Sequence, residues 1–368
     1  MRKQPLEFRA REVAQIMQCW RAGESCSVVG IGSIGKSNLI QHLINPAVLQ
    51  HHLNDVDLNK FRTILIDPNM FGPLPANEAT TEQVRAWAGY ELMMHRLFMS
   101  FYPFEVLSAD EARHFYETYQ GLQDGTNPLY AYMGLRYFEL GLQHFLRRDI
   151  QLVFMFDEFE ELMRQMPIKF FHSLRGLRDQ YKGQLSYVTF SRAPIETIAQ
   201  QVNMQALEIE PFKELFNDNV LYIGPYAEGD ARRMIDELSE RHSLYYSEAM
   251  VNFLLHSSGG FAGLLRAAYQ SAQSYMDQQL TEDNRELWLR QLVMKPPVRR
   301  DCQTIWDSLS LSEQTLLNAV SRLSPYSLDV GSEQAVTLLI QKQLLRVLKN
   351  PERLEIQPAL LRVFLAGM

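Results

Sequence analysis

Short, wholly apolar runs alternate with segments of helical periodicity over the first 225 residues. A continuous apolar run is typical of a parallel strand covered on both faces, whereas apolar residues three and four positions apart predict an amphipathic helix. The pattern predicts strands at 25–29, 61–67, 150–160, 185–192 and 219–225. It predicts helices at 12–20, at 35–44 ("GKSNLIQHLI", after the glycines), and at roughly 81–103, 109–122, 127–148 and 167–182. Strands that alternate with helices predict a doubly wound parallel α/β sheet.

The pattern changes after residue 226, where the strands stop and helical periodicity predicts a small helical domain. Lys295-Pro296-Pro297 is predicted to be a linker. From about residue 303, two helices followed by the extended segments "LLRVLKN" and "RLEIQPALLRVFL" are typical of a winged helix. The predicted domains are a core at 1–225 with a helical insert at about 70–148, a helical lid domain at 226–294, and a winged-helix domain at 295–368.

The composition is that of a globular chain with a full core. Of the 368 residues, 46% are hydrophobic and 21% are charged, and the formal net charge is −7. This balance argues against a surface coated with basic residues for nucleic acid and leaves room for a local basic patch. The three cysteines, Cys19, Cys26 and Cys302, are too widely spread to predict a disulfide framework or a zinc site. With no apolar leader and no apolar run near 18 residues, we expect a cytoplasmic protein without membrane contact.

The stretch "SVVGIGSIGKSN", residues 27–38, contains the pattern G-x-x-x-x-G-K-[ST] between a predicted strand and a predicted helix. Glycine-permitted backbone angles and a helix N-terminus together make an anion site, to which a lysine adds a positive charge. The alternative is a glycine-rich turn without function, but a chance match in such a chain is on the order of 1%. The predicted nucleotide-binding residues are Gly30, Ile31, Gly32, Ser33, Ile34, Gly35, Lys36, Ser37 and Asn38.

Carboxylates follow the most apolar strand, "LVFMF", as Asp157 and Glu158. A phosphate loop needs such a carboxylate at a neighbouring strand end for Mg²⁺. We therefore predict Ser37 and Asp157 as the magnesium residues and Glu158 as the base that activates water, with Glu160 as the fallback. The alternative is that these acids simply begin a helix, where they favour the dipole. Lys36 completes the predicted catalytic set together with Arg192.

"VTFSR" ends the next strand, so Thr189, Ser191 and Arg192 are expected at the same edge of the sheet. Ligands of open α/β sheets bind outside the carboxyl ends of the strands. Arg192 is therefore predicted to contact the γ-phosphate, whereas the alternative is an ordinary surface arginine.

With these motifs in place, the chain resembles a STAND-type ATPase near the archaeal and origin-recognition branch of the AAA+ class. "FRAREVAQIMQCWRAGESCSVVGIGSIGKSNLIQHL" resembles the opening motif, helix and Walker A loop of that family, and "LVFMFDEFEEL" its Walker B strand. "VTFSR" is similar to its sensor, and "SSGGFAGLLRAA" to the glycine-glycine motif of its lid. The chain departs from the family at Ala10, where glycine is usual, and at Phe261-Ala262.

The resemblance implies a P-loop ATPase fold with a lid and a winged helix, and ATP with Mg²⁺ as cofactors. It implies Arg266 as a second sensor in the lid, against the alternative of a helix-surface arginine. Arg175 and Arg178 are the candidates for an arginine finger.

The first functional hypothesis is an ATP-driven switch that couples nucleotide state to protein partners, with a homo-oligomer possible. The second is a DNA-associated AAA+ ATPase, such as an initiator, loader or transposition regulator, whose winged helix contacts DNA. From residue 287 onward there are ten Lys/Arg and seven Asp/Glu, a thin surplus for phosphate neutralisation, so protein partners are favoured. A third reading is a nucleotide-binding scaffold that no longer hydrolyses ATP.

Overall fold

Five parallel strands form the central sheet of the protein. The computed structural model describes residues 4–71, 81–124, 129–275, 281, 284–322, 330–349 and 352–367. The strands are β1 (Cys26–Val29), β2 (Phe61–Ile66), β3 (Gln151–Phe156), β4 (Leu185–Ser191) and β5 (Val220–Tyr222), in the order β2-β3-β4-β1-β5. All five predicted strands are therefore confirmed, each within a few residues of its predicted bounds.

The middle of the sheet is buried on both faces, as continuous apolar runs require. Every residue of β4 is buried, and in β3 only Gln151 is partly exposed. In register, Phe156 of β3 lies opposite Thr189 of β4, and Val29 of β1 lies opposite Ser191. The carboxyl ends of β1, β3 and β4 therefore lie at one edge of the sheet.

Helices connect the strands. Of the ten described up to β5, six follow the predicted apolar periods, and the other four are short helices that lie outside them. Up to β5 they are α1 (Ala10–Arg21), α2 (Lys36–Leu43), α3 (Pro46–His52), α4 (Glu82–Phe101), α5 (Ala109–Gln123), α6 (Tyr130–Leu146), α7 (Phe159–Gln165), α8 (Ile168–Gln180), α9 (Ile195–Gln201) and α10 (Ala206–Lys213). The predicted insert is helical where it is described, in α4, α5 and α6, although its parts at 72–80 and 125–128 lie outside the described residues. Ser108 and Glu111 form a capping box that starts α5.

Aromatic side chains fill the core around the insert helices and β3. Phe101 and Phe145 stack with ring centroids 3.9 Å apart, and Phe138 packs edge-on against Phe154 of β3. All four side chains are at most 5% exposed. Burying aromatic rings contributes strongly to stability, so this core fixes the strand end that carries the acidic residues.

After β5, the regular secondary structure described as far as residue 341 is helical. The helices are α11 (Glu228–His242), α12 (Glu248–Ser258), α13 (Ala262–Ala272), α14 (Arg285–Val293), α15 (Pro296–Asp307), α16 (Leu311–Ser321) and α17 (Val330–Gln341). The antiparallel strands β6 (Leu345–Lys349) and β7 (Glu352–Ile356) and helix α18 (Ala359–Ala366) follow. We call residues 296–367 the C-terminal module.

Two predictions for this part of the chain are wrong. Pro296 and Pro297 do not form a linker but the first turn of α15, where proline lacks only an N–H that has no helical partner. The second extended segment ends at Ile356, and α18 begins directly after Pro358. The order of three helices, a hairpin and a final helix is compatible with a winged helix, which stays a prediction.

The structure divides into two compact units. The loop unit comprises Met1–Ala10, Gly30–His42 and Tyr222–Met368, and the sheet unit comprises Arg11–Val29 and Leu43–Leu221. The three predicted domains and their boundaries stay a prediction. Across the stretches that the structure describes, none of the helices has both the length and the apolar character needed to span a membrane.

Candidate phosphate-binding and acidic sites

The phosphate loop connects β1 to α2, and its backbone has the geometry of an anion site. Gly35 has φ +95° and Ser33 has φ +62°, both in the left-handed region where glycine is favoured. Lys36 and Ser37 begin α2, so the helix N-terminus follows the loop directly. Inward-facing amides and the positive end of a helix dipole together favour a bound phosphate.

The side chains of the loop separate into buried and accessible groups. Ile31 and Ile34 are 1% exposed and anchor the loop in the loop unit. The Lys36 ammonium donates hydrogen bonds to the carbonyl oxygens of Gly30 and of Ile31, the latter at 3.3 Å. Ser37 is exposed. The Lys36 ammonium is thus held against the backbone of the loop, and the Ser37 hydroxyl is accessible to solvent. The buried side chains of Ile31 and Ile34 hold the loop in place.

Tyr226 packs against the end of the loop. A Cβ on Gly35 would lie 2.7 Å from the Tyr226 hydroxyl oxygen, so no larger residue fits there. Asn38 Nδ2 donates a hydrogen bond of 2.8 Å to that hydroxyl. Burial raises the pKa of Tyr226, although Asn38 and the positive charges of Arg9 and Arg266 act in the opposite direction. Tyr226 therefore stays a neutral hydrogen-bonding group beside α2.

Arg9, in the motif at the start of the chain, is a second support of the loop that the sequence analysis missed. It is 3% exposed, and its guanidinium donates to the carbonyl oxygens of Ile34 at 2.8 Å and of Gly224 at 2.9 Å. Its backbone N–H donates to Asp230 Oδ2 at 3.0 Å, and the guanidinium lies 4.7 Å from the centroid of the Tyr226 ring. The arginine of the opening motif thus holds the carbonyl of Ile34 within the loop.

In the sheet unit, Asp157 and Glu158 lie at the carboxyl end of β3, as predicted. The Asp157 N–H donates to the Ile66 carbonyl at 2.9 Å, which continues the pairing with β2. Glu158 has φ +42° and precedes α7. Its backbone N–H donates to Asp157 Oδ1 at 2.8 Å. Glu158 adopts a left-handed backbone that is uncommon for a non-glycine residue, and its side chain makes no capping hydrogen bond to α7.

Asn69, in the turn after β2, holds the carboxylate of Glu158. Its Nδ2 atom donates to Glu158 Oε2 at 3.0 Å and to Asp67 Oδ1 at 2.9 Å. The Asn69 backbone N–H also donates to Asp67 Oδ1, at 2.9 Å. The sequence Asp67-Pro68-Asn69 marks the end of a strand. The hydrogen bond from Asn69 to Glu158 depends on β2 lying beside β3, so it was not predicted.

Among the three residues predicted at the end of β4, only Arg192 is accessible. Thr189 and Ser191 are fully buried; Thr189 Oγ1 donates to Ser27 Oγ at 2.9 Å, and Ser191 Oγ donates to the Ala193 carbonyl at 2.7 Å. The Arg192 side chain is 45% exposed and forms an ion pair with Glu160, Nε to Oε1 at 3.2 Å. Glu160, the fallback base, is thus paired with the predicted sensor.

The other predicted arginines differ in their surroundings. Arg266 is exposed on α13, near enough to Tyr226 for its charge to act on the pKa of that phenol. Arg175 Nε donates to Asp179 at 2.6 Å, and its Nη1 to the Pro211 carbonyl at 2.6 Å, so its side chain is tied to the sheet unit. The Nε atom of Arg178 is buried and has no hydrogen-bond partner among the described residues.

No protein-family model matches the chain, and no curated protein sequence matches it either. Among solved structures, a Walker-type ATPase of Pyrococcus abyssi is similar to this chain with a TM-score of 0.53 and 13% identity, over 97% of this chain and 95% of that one. The Aeropyrum pernix ORC2 protein, in ADPNP and ADP complexes, has a TM-score of 0.49 and 12% identity over 97% and 92%. The Aeropyrum pernix ORC1 protein in complex with DNA has a TM-score of 0.41 and 13% identity over 98% and 92%.

At this sequence identity, structural similarity shows only a shared fold. That conclusion rests on the Pyrococcus ATPase, because the TM-scores of both ORC proteins lie below 0.5. The comparisons do not confirm the STAND part of the resemblance. The core of the predicted fold class is confirmed: the chain has a parallel five-stranded sheet with flanking helices, the fold it shares with the Walker-type ATPase. The lid and winged-helix domains stay a prediction.

Proposed function

We propose that this protein binds ATP with its phosphate loop and hydrolyses it. The observation that carries the proposal is the loop itself, in which the left-handed Gly35 turns the backbone directly before Lys36 and the N-terminus of α2. This arrangement is suited to the phosphate tail of a nucleotide. The fold shared with a Walker-type ATPase supports the same conclusion.

Each predicted site residue has a role in this proposal. Lys36 exchanges its carbonyl partners for phosphate oxygens and compensates their charge. Glu158 accepts a proton from the attacking water as a general base. Arg192, released from Glu160, contacts the γ-phosphate, and Arg266 contacts nucleotide from the lid.

The residues present fit a magnesium ion bound with nucleotide. Mg²⁺ prefers oxygen ligands and takes only one or two of them from the protein when phosphates and water supply the others. The exposed Ser37 hydroxyl and the partly buried Asp157 carboxylate are such donors. We propose these two residues as its protein contacts because of their sequence motifs: Ser37 follows the lysine of the phosphate loop, and Asp157 follows a buried apolar strand. When bound, the ion stabilises charge that develops on the transferred phosphoryl group.

Steady-state ATP hydrolysis by the full chain tests the proposal. We expect Lys36→Ala to lose hydrolysis and nucleotide binding together, because it removes the cation of the loop. We expect Glu158→Gln to bind nucleotide and lower turnover by about 100-fold or more, as loss of a general base does. Lys60→Ala, a change at an exposed lysine outside the loop, is the matched control. Equal turnover in all four proteins would contradict the proposal.

Asn69 is proposed to hold Glu158 until nucleotide is in place, since its amide donates to Oε2. Asn69→Ala removes that hydrogen bond without adding charge. We expect its turnover to change at least threefold while nucleotide affinity stays the same, because Asn69 acts through Glu158. Unchanged turnover would mean that other contacts position Glu158, and it would contradict the role proposed for Asn69.

Association with DNA is the second proposed function, and the hairpin of the C-terminal module favours it over the protein-partner switch. Arg346, Lys349 and Arg353 are exposed on β6 and β7, although Arg346 also pairs with Glu355 at 2.6 Å. Helix α17, by contrast, contains neither lysine nor arginine. We therefore propose the hairpin, rather than the preceding helix, as the part of the module that contacts DNA.

Titration with duplex DNA at two salt concentrations, with ATP and Mg²⁺ present, tests this second function. Lys349→Glu/Arg353→Glu is expected to weaken binding and to reduce the salt slope by about 2, since each phosphate contact contributes about 0.9. Lys60→Glu/Lys182→Glu alters two exposed lysines of the sheet unit and serves as control. Absence of binding at low salt would remove the DNA function and favour the switch that acts through protein partners or self-assembly.

A further inference from the structure

Helix α15 contacts the phosphate loop through its second and third turns. Ser33 Oγ donates a hydrogen bond of 2.5 Å to Asp301 Oδ1. The Gly263 N–H, at the start of α13, donates to the Ser33 carbonyl at 2.8 Å. A Cβ on Gly32 would lie 2.7 Å from the carbonyl oxygen of Thr304. The successive loop residues Gly32 and Ser33 are therefore both covered by α15.

This contact brings a carboxylate to a loop whose geometry favours anions. Among the residues that the structure describes, the Ser33 hydroxyl is the hydrogen-bond partner of Asp301, and no lysine or arginine forms an ion pair with it. The negative charge of Asp301 also affects the adjacent cysteine. Burial raises the pKa of the Cys302 thiol, the Asp301 charge raises it further, and the resulting pKa is about 12. A triphosphate adds several negative charges within a few ångström of the same loop, and like charges at such distances repel.

We propose that Asp301 lowers the affinity of the phosphate loop for a nucleoside triphosphate, and that nucleotide binding separates α15 from Ser33. This inference rests on the proposed ATP site. Because α15 begins the C-terminal module, the Ser33–Asp301 contact links the nucleotide to that module. A partner that binds the module and draws α15 away from the loop would raise the affinity of the protein for ATP. By thermodynamic reciprocity, ATP would raise the affinity of the protein for that partner by the same factor.

Equilibrium binding of methylanthraniloyl-ATP with Mg²⁺ to the full chain tests the charge. Asp301→Asn keeps the size of the side chain and a hydrogen-bond acceptor, and we expect it to bind the nucleotide about tenfold more tightly. Ser33→Ala removes the hydrogen bond but leaves the charge, so we expect it to tighten binding less than Asp301→Asn does. Asp307→Asn, a change at an exposed carboxylate of the same helix that accepts a hydrogen bond from Gln303, should bind like the wild type.

A reversible cross-link tests whether α15 must separate from the loop. In Ser33→Cys/Asp301→Cys, oxidation is expected to join the two side chains, to abolish binding of the nucleotide, and to be reversed by dithiothreitol. The reduced form of the same protein controls for folding. Nucleotide binding to the cross-linked form with the affinity of the reduced form would overturn the proposal.

The outcomes separate this inference from the proposed function. Wild-type binding that Lys36→Ala removes, together with equal or weaker binding by Asp301→Asn, overturns the role of Asp301 and leaves the ATP site standing. No binding by any of these proteins, Asp301→Asn included, overturns both. Tighter binding by Asp301→Asn alone, with Asp307→Asn unchanged, supports both.

Discussion

Replacement of Arg9 by methionine tests whether the opening motif supports the phosphate loop. Methionine keeps much of the apolar bulk of the side chain and removes the guanidinium. The loss includes the two hydrogen bonds to the carbonyls of Ile34 and Gly224 and the contact with the Tyr226 ring. The backbone bond to Asp230 does not depend on the side chain, so the effect reports on the guanidinium.

The expected cost follows from the number and type of these contacts. A hydrogen bond to a charged group contributes about 1.5–3 kcal/mol, and a cation–π contact about 0.5–2 kcal/mol. Part of this loss is offset, because methionine avoids the free-energy cost of burying a charged group. We expect a net loss of about 2–4 kcal/mol in the free energy of opening of the loop. We also expect at least tenfold weaker ATP binding, because the Ile34 carbonyl loses its fixed position.

Native-state hydrogen exchange of the amides in residues 30–42 measures this loss, since it reports local opening rather than global unfolding. The expected change is about 30- to 1000-fold faster exchange in Arg9→Met. Arg11→Met is the matched control, because Arg11 lies two positions away and is exposed. If Arg9→Met and Arg11→Met show the same exchange and the same ATP affinity, the structural argument for Arg9 is wrong.

Three further predictions follow from named contacts. Lys342→Met is expected to destabilise the C-terminal module by about 3–5 kcal/mol, because it leaves the Glu313 carboxylate buried without the ammonium that lies 2.6 Å away. Amide hydrogen exchange in α16 measures this loss, and Lys342→Met/Glu313→Gln should recover part of it. Hydrogen bonds from Ser108 and then Arg148 lower the pKa of Glu111 to about 2, so the stabilisation of the α5 N-terminus is fully present above about pH 4.5 and is lost as pH falls through about 2. Protection factors of the α5 amides, corrected for the intrinsic pH dependence of exchange, measure this loss, and constant protection factors over this range would contradict it. Gly35→Ala is expected to abolish nucleotide binding, checked by titration calorimetry, because φ is +95° and a Cβ would clash with the Tyr226 hydroxyl.

The sheet and most helices were predictable because their signals are local. The β3 run from Leu152 to Phe156 is apolar at every position, and the structure buries every side chain in it. The capping box at Ser108 and Glu111 likewise marks the start of α5 where the helical period begins. Pro296-Pro297 misled the prediction because proline is equally compatible with a linker and with the first turn of a helix.

The site was only partly predictable, because several of its contacts join residues far apart in sequence. The motif made Lys36 and Ser37 candidates without structural information, since both lie within eight residues of Gly30. Arg9 reaches the loop across 25 positions, and Asn69 reaches Glu158 across 89. Such pairings follow from strand order and packing rather than from periodicity.

Titration calorimetry of Mg²⁺-ATP into the wild-type chain and into Lys36→Ala tests the central claim most directly. The account predicts saturable binding of one nucleotide per chain to the wild type and at least tenfold weaker binding to Lys36→Ala. Equal affinity of the two proteins, or no binding to the wild type, would contradict it.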